Sequence, residues 1–224
     1  MCGRFTLSQS AETIAEVFQL SAVPQLEPRY NIAPTQPVCV IRTIAEPSER
    51  EFTYLYWGLI PSWAKDPSIG TRLINARAET VTEKPAFRAA FKRRRCLILA
   101  DGFYEWQPLQ KGKQPFYFQM EETQPFAFAG LWEHWESADG AIESCTILTT
   151  EANEMLKPIH DRMPVILPPN AYDMWLNLEV QGGDRLHSLL RPYSSEAMSC
   201  YPVSLKVNNP RYDHSDCIHP LEQE

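Results

Sequence analysis

Six short apolar runs, separated by polar and proline-containing segments, constrain the fold of this chain more than any other feature. Aromatic and β-branched residues are abundant in these runs, which is typical of β-strands. The runs are Val38–Ile41, Phe52–Trp57, Cys96–Leu99, Phe116–Phe118, Phe126–Phe128 and Cys145–Leu148. We therefore expect strands to dominate the middle of the chain.

Apolar residues at helical spacing lie between and after these strands. They predict helices over Ala11–Leu20, Pro85–Lys92, Glu151–Lys157, Ala171–Leu178 and Asp184–Leu190. The connections are too short for regular βαβ units and too rich in proline, with 19 Pro against 9 Gly. We expect an α+β fold with a curved, barrel-like antiparallel β-sheet flanked by helices. No linker-like run interrupts the 224 residues, so a single domain over residues 1–224 is predicted.

The charge of the chain is distributed unevenly. The net charge is −7, which argues against a protein that coats nucleic acid by charge neutralisation alone. Residues 1–112 nevertheless hold 14 basic and 11 acidic residues, whereas residues 113–224 hold 7 and 17. Nine Lys/Arg and three Asp/Glu lie between Trp57 and Arg95. This distribution is compatible with a basic binding surface and equally with solvated helix faces.

No apolar run is long enough for a membrane helix, and the N-terminus lacks the pattern of a signal peptide. The six cysteines are widely spaced without a Cys-x-x-Cys pair, which favours reduced thiols over disulfides or a structural zinc site. We expect a cytoplasmic protein, or a nuclear one in a eukaryote, with no membrane association, no metal and no cofactor.

Cys2 is the most informative single residue. Removal of the initiator Met would leave an N-terminal cysteine, whose α-amine (pKa about 7.7–8.0) and thiol (about 8.5) are both reactive near neutral pH. Such an aminothiol condenses with an aldehyde to a Schiff base, and the thiol then closes a five-membered thiazolidine. The alternative is that Cys2 has no role in function.

Two further residues have side chains suited to proton transfer. His160 lies between two prolines in a polar stretch that follows a predicted helix, and its imidazole suits proton shuttling. Glu105 lies among aromatic residues, where burial raises the pKa of a carboxyl group and suits it to acid or base catalysis. A structural histidine and a glutamate paired with arginine remain the alternatives.

Asn75 and Arg77 are two residues apart, so in an extended segment both side chains point to the same side and can share a ligand. The guanidinium group of Arg77 suits a phosphate, and Arg4 could supply a second phosphate contact near Cys2. Trp63 lies in a proline-containing loop and could stack on an unpaired base, whereas Trp57 is expected in the core.

Six ordered motifs together resemble the SRAP family, the SOS response-associated peptidases. The motifs are Cys2–Phe5, Arg29–Pro34, Trp57–Trp63, Ile74–Glu79, Gly102–Trp106 and His160–Pro164. The resemblance spans residues 2–205 and leaves 206–224 as a C-terminal extension. In family members that carry two adjacent Trp residues in the third motif, the second stands where this chain has Ala64.

The resemblance implies a single α+β domain that crosslinks to abasic sites in single-stranded DNA through a thiazolidine on Cys2. It implies that Met1 is removed, either by the protein itself or by an aminopeptidase, and that Asn75, Glu105 and His160 support the chemistry. It also implies phosphate contacts by Arg4 and Arg77.

We expect Trp63 and Asn31 to contact DNA as well, and the protein to act as a monomer. Lyase activity would be compatible with the same chemistry. Two other functions stay open: a thiol peptidase that uses Cys2 and His160 on other proteins, and a non-covalent reader of damaged or modified DNA.

Overall fold

The computed structural model describes residues 2–43, 50–138, 140–180 and 183–221 of the chain. Its strands are β1 (Phe5–Leu7), β2 (Arg29–Ile32), β3 (Pro37–Thr43), β4 (Arg50–Trp57), β5 (Asn75–Arg77), β6 (Arg95–Ala100), β7 (Gly102–Pro108), β8 (Lys113–Met120), β9 (Phe126–Ser137), β10 (Gly140–Glu151), β11 (Arg162–Pro164), β12 (Ile166–Leu167) and β13 (Met198–Pro202). The α-helices are α1 (Ala11–Val17), α2 (Arg88–Arg93), α3 (Tyr172–Leu176) and α4 (Asp184–His187). Six short 3₁₀ helices cover Pro67–Arg72, Ala78–Thr80, Pro169–Ala171, Ser195–Ala197, Leu205–Asn208 and Ser215–Ile218.

Five strands close into a barrel in the order β10-β4-β3-β6-β9, and β9 pairs with β10 to complete the ring. All of these pairings are antiparallel except β4 with β10, which is parallel, as is the pairing of β5 with β10. The barrel confirms the predicted α+β architecture, although the sheet is mixed rather than purely antiparallel. The inward-facing residues form one continuous apolar core.

A second sheet, in the order β13-β8-β7-β1-β2, packs against the barrel. Phe5 of β1 anchors the contact, because its ring lies edge-on to Trp57 at 5.1 Å and to Phe128 at 5.6 Å between centroids. Aromatic pairs of this geometry contribute about 0.5–1.5 kcal/mol beyond the area they bury. The N-terminal strand is thereby fixed to the barrel.

The helical predictions are confirmed in part. Helices occur within four of the predicted segments, and all are shorter than predicted. The fifth prediction, a helix over 151–157, is wrong: Glu151 ends β10, and residues 154–159 form hydrogen-bonded turns. Pairing of β10 with β11 keeps Glu151 extended, which overrides the local helical preference. No helix in the described part of the chain has the length and apolar composition to cross a membrane.

The 206–224 segment, expected as an extension beyond the motifs, packs onto the fold as far as it is described. Val207 and Cys217 are fully buried in a small aromatic cluster with Tyr104 and Tyr117. The Asp213 carboxylate accepts hydrogen bonds from the backbone N–H groups of Tyr30 (2.6 Å) and Asn31 (2.9 Å) on β2. The described C-terminal residues therefore pack against the second sheet rather than extend from the fold.

Candidate active site

The N-terminal segment is held in place by β7 and by the buried carboxylate of Asp101. The Tyr104 N–H donates to Arg4 O at 3.0 Å, and β1 pairs with the start of β7. Asp101 accepts hydrogen bonds from the Thr6 hydroxyl, from the Ser8 hydroxyl at 2.9 Å and from the Gln9 N–H at 2.9 Å. These bonds fix both ends of β1 and so determine where Cys2 lies.

Cys2 is completely buried at the edge of the core. Its carbonyl oxygen accepts a hydrogen bond from Asn75 Nδ2 at 2.9 Å, and its Sγ lies 3.9 Å from Arg4 O. Burial raises the pKa of the Cys2 thiol well above its ordinary value, and the nearby Glu105 charge raises it further. The thiol is therefore neutral at physiological pH in this arrangement.

Asn75 reaches Cys2 because β5 pairs in parallel with β10, where Asn75 lies opposite Ile147. The preceding residue is fixed too, since the indole of Trp57 donates to Ile74 O at 2.9 Å. Asn75 Oδ1 is buried and has no hydrogen-bond partner among the described residues. The side chain thus holds the Cys2 backbone with its amide nitrogen and keeps an acceptor oxygen available for an N–H donor.

Glu105 lies on β7 and is 2% exposed. Burial raises the pKa of its carboxyl group, while the neighbouring His160 acts in the opposite direction. A carboxyl group in such a position retains its proton to higher pH than an exposed one, which suits it to donate that proton.

His160 projects from the loop between β10 and β11, and its side chain is 30% exposed. Its Nδ1 accepts a hydrogen bond from the Arg162 N–H at 3.0 Å and lies 2.9 Å from Asp161 Oδ1. The neighbours of Nδ1 are one donor and one acceptor, so the geometry accommodates a proton on either ring nitrogen. Arg162 fixes the loop through a bidentate pair with Glu79 at 2.6 and 2.9 Å.

The structure therefore brings together the four residues expected to carry the chemistry. Asn75 touches Cys2 directly, and Glu105 interacts electrostatically with both Cys2 and His160. They come from the N-terminus, β5, β7 and a loop, which are far apart in sequence. A neutral thiol, an amide acceptor, a carboxyl group with a raised pKa and an imidazole are the groups that amine and thiol addition to an aldehyde needs.

Arg4 lies in a cleft that sequence reasoning did not find. Its guanidinium carbon is 5.8 Å from the Trp106 ring centroid, and the two residues line a cavity of about 400 Å³ with Lys113 and Asn208. Trp106 Nε1 donates to Asn208 Oδ1 at 2.6 Å. Alternation along β7 puts Trp106 and Glu105 on opposite faces of the strand, so Arg4 and Glu105 are separated by it. In the sequence, one feature indicates this cleft: Trp106 directly follows Glu105.

Asn31 requires a correction. It is fully buried, and its Oδ1 accepts from Arg4 Nη1 at 2.7 Å. Its Nδ2 donates to the backbone oxygens of Val207 (3.2 Å), Asn209 (3.1 Å) and Tyr212 (2.7 Å). Every polar atom of the side chain is engaged inside the protein, so the expected direct contact with DNA has no exposed group to make it. Asn31 instead positions Arg4.

Arg77 and Trp63 are exposed, as a ligand-contacting role requires, and Trp63 is 59% exposed. The loop that carries Trp63 is held by Trp135 Nε1, which donates to Ala64 O at 2.7 Å. A close contact between the backbones of Gly58 and Gly70 also holds the loop. A side chain at position 58 would not fit, because a Cβ there would lie 2.7 Å from Gly70 O and because Gly58 has φ +139°. A rigid loop therefore presents an exposed indole near the segment that leads to Asn75.

Comparison with known proteins places these features in context. The family model described as SOS response associated peptidase (SRAP) matches residues 1–210. Abasic site processing protein YoaM of Bacillus subtilis (strain 168) is 45% identical over 223 residues and covers 97% of each chain. Abasic site processing protein YedK of Escherichia coli (strain K12) is 31% identical over 236 residues, with 99% of this chain and 100% of YedK covered. A crystal structure of a protein from Bacteroides thetaiotaomicron has the same fold, with a TM-score of 0.86 at 24% identity over 99% of this chain and 100% of that one.

Proposed function

The chain belongs to the SRAP family, and from that premise we propose that it processes abasic sites in single-stranded DNA by forming a covalent bond through Cys2. The observation that carries the proposal is the hydrogen bond from Asn75 to the Cys2 carbonyl, next to a buried Glu105 whose pKa is raised. The names of the relatives point to abasic sites, and the geometry of the site supports this chemistry.

In the proposed reaction, hydrolysis of the Met1–Cys2 bond first releases the α-amine of Cys2. The amine adds to the C1′ aldehyde of the ring-opened sugar, and loss of one water from the carbinolamine gives a Schiff base. The thiol then adds to the imine carbon while its proton passes to the nitrogen, which closes the thiazolidine. The net change is aldehyde plus aminothiol to thiazolidine plus one water.

Each supporting residue has a role in these steps. Asn75 Oδ1, which is unpartnered in the described residues, accepts an N–H of the amine and orients it toward the aldehyde. Glu105 donates a proton to the departing hydroxyl, which its raised pKa favours. His160, whose imidazole can carry a proton on either ring nitrogen, transfers protons during opening and closure of the sugar ring. Arg4, Arg77 and Trp63 bind the flanking phosphates and an unpaired base, and the protein acts as a monomer.

Mixing Met1-processed protein with a single-stranded oligonucleotide that contains one abasic site tests the proposal. A denaturing gel should show an adduct, and its intact mass should equal the sum of the two components less one water. Cys2→Ala should give no adduct, whereas Cys200→Ala, at a half-buried cysteine far along the chain, should give the wild-type yield. An equal yield with Cys2→Ala would contradict the proposal. Turnover of an added peptide that requires Cys2 and His160 would instead favour the peptidase function.

A further inference from the structure

A row of cations on and before α2 is not used by the proposed chemistry. Lys84, Arg88 and Lys92 are four residues apart, and Arg93 follows; all four are exposed. The Arg88 N–H donates to Lys84 O at 3.0 Å, so Lys84 lies one helical turn before Arg88. We call these four residues the α2 basic face.

The opposite side of the same helical segment is apolar and faces the protein. Phe87 and Phe91 are 7% and 0% exposed, and Ala90 is buried with them. Phe91 also packs edge-on against Trp175 with 6.0 Å between ring centroids. This packing fixes the orientation of the helix, so the cations are held toward solvent and cannot turn inward.

The four cations, like Arg77 and unlike five other arginines of the described residues, have no acidic partner. Five arginines form ion pairs, namely Arg29 with Asp213, Arg42 with Glu143, Arg50 with Asp173, Arg94 with Glu133 and Arg162 with Glu79. In the described residues no carboxylate lies within ion-pair distance of the α2 basic face. Glu83, which is exposed beside it, is the one acidic neighbour in sequence. The face thus presents four positive charges that the fold itself does not neutralise.

The α2 basic face is joined to the candidate active site by a short, folded segment. Arg77 lies two residues after Asn75, and the 3₁₀ helix Ala78–Thr80 follows it. The Glu83 and Lys84 N–H groups both donate to Thr80 O, so the chain continues in turns up to α2.

The spacing of the cations suits the backbone of an extended single strand. Residues four apart in a helix are about 6 Å apart along its axis, the scale of the separation between successive phosphates in such a strand. Residues 113–224, with 17 acidic and 7 basic residues, carry a net negative charge that disfavours a polyanion, whereas the α2 basic face carries a local excess of positive charge.

We propose that the α2 basic face binds backbone phosphates of the DNA strand that flanks the lesion. This inference rests on the proposed function, because it takes the strand to be the one whose abasic site reacts at Cys2. The contacts are electrostatic and independent of base sequence, so they add affinity and orientation without selecting a sequence.

The salt dependence of DNA binding tests the inference separately from the chemistry. The probe is an intact single-stranded oligonucleotide long enough to extend past the site on both sides, and the slope of log K against log salt is measured. Each phosphate contact on a single strand contributes about 0.7 to this slope. Arg88→Gln/Lys92→Gln should therefore reduce the slope by about 1.4.

Arg185→Gln/Arg191→Gln is the matched control, since it removes the same charge from exposed positions elsewhere. It should leave the slope within error of wild type. Equal reductions in both variants would overturn the inference in favour of a general charge effect. An unchanged slope in the α2 variant would overturn it as well and would leave an acidic protein as the partner of this face.

Adduct formation by wild-type protein on a short abasic oligonucleotide is measured in parallel. Its failure would remove the proposed function, whereas a slope difference confined to the α2 variant would still locate the DNA contact. Thermal unfolding of both variants is the control for folding, because substitutions at exposed positions without specific contacts leave the melting temperature close to that of the wild type.

Discussion

Asn31→Ala is expected to destabilise the protein and to weaken DNA binding indirectly. The side chain donates to three backbone oxygens of the C-terminal segment and accepts from Arg4. The amide nitrogen has two hydrogens to share among the three oxygens, so the side chain makes the equivalent of about three full bonds. A hydrogen bond contributes about 1 kcal/mol net, so their removal costs about 3 kcal/mol. For a domain of this size, about 2–4 °C of melting temperature corresponds to 1 kcal/mol, which predicts a decrease of roughly 6–12 °C.

Differential scanning calorimetry measures the stability, and titration with intact single-stranded DNA measures the affinity. Asn31→Asp should be more destabilising than Asn31→Ala, because a carboxylate would face three carbonyl oxygens. Asn209→Ala is the matched control in the same segment: its side chain is exposed and accepts one bond, from the Arg211 N–H at 3.1 Å. That variant should melt within about 1–2 °C of wild type.

The two measurements separate a positioning role from direct contact with DNA. If Asn31 positions Arg4, stability and affinity fall together. A melting temperature of Asn31→Ala within about 2 °C of wild type would refute the stabilisation assigned to these hydrogen bonds. A loss of affinity without any loss of stability would restore the direct contact that the sequence suggested.

For three other variants the structure predicts the direction in which stability changes. Glu105→Gln should increase the free energy of unfolding above the raised pKa of Glu105, where the wild type buries a charged carboxylate. In urea titrations this gain should shrink as pH falls below that raised pKa and vanish below the ordinary pKa of a glutamate, where the carboxyl group is protonated in both states. Adduct formation should fall about 10²–10⁴-fold. Gly102→Ala should cost about 3 kcal/mol or more, because a Cβ there would lie 2.1 Å from the Tyr117 hydroxyl; a loss under about 1 kcal/mol in chemical denaturation would contradict this. Arg95→Met should lower stability by about 3–5 kcal/mol in the same assay, since four backbone oxygens lose their donor, and an unchanged midpoint would refute it.

The strands of the barrel were predictable because each one carries a local pattern of apolar residues. The closure of the barrel was not, since the parallel pairing of Trp57 with Cys145 joins residues far apart in sequence. Strands of two to four residues, such as β1, β5 and β12, are too short for a periodic signal. The sequence therefore predicts the strands of the barrel and not the order in which they pair.

The candidate site divides in the same way. Cys2, Asn75, Glu105 and His160 were named from motifs, and the structure brings them together. The burial of Asn31 and the cleft around Trp106 could not be foreseen, because both depend on residues 207–213. Such contacts between distant segments leave no local trace in the sequence.

The attachment of residues 207–213 to the N-terminal segment has a consequence for the timing of assembly. Arg4 Nη1 donates to Val207 O at 2.8 Å across 203 positions of sequence. The Asp213 carboxylate accepts hydrogen bonds from two backbone N–H groups of β2. Contacts between residues so far apart in sequence form late in folding, and this segment is synthesised after every other residue of the site. If Met1, whose removal the proposed function requires, is removed during synthesis, the reactive aminothiol is exposed before Arg4 is anchored. We expect that interval to be when the N-terminal cysteine is most open to stray aldehydes and least able to select DNA.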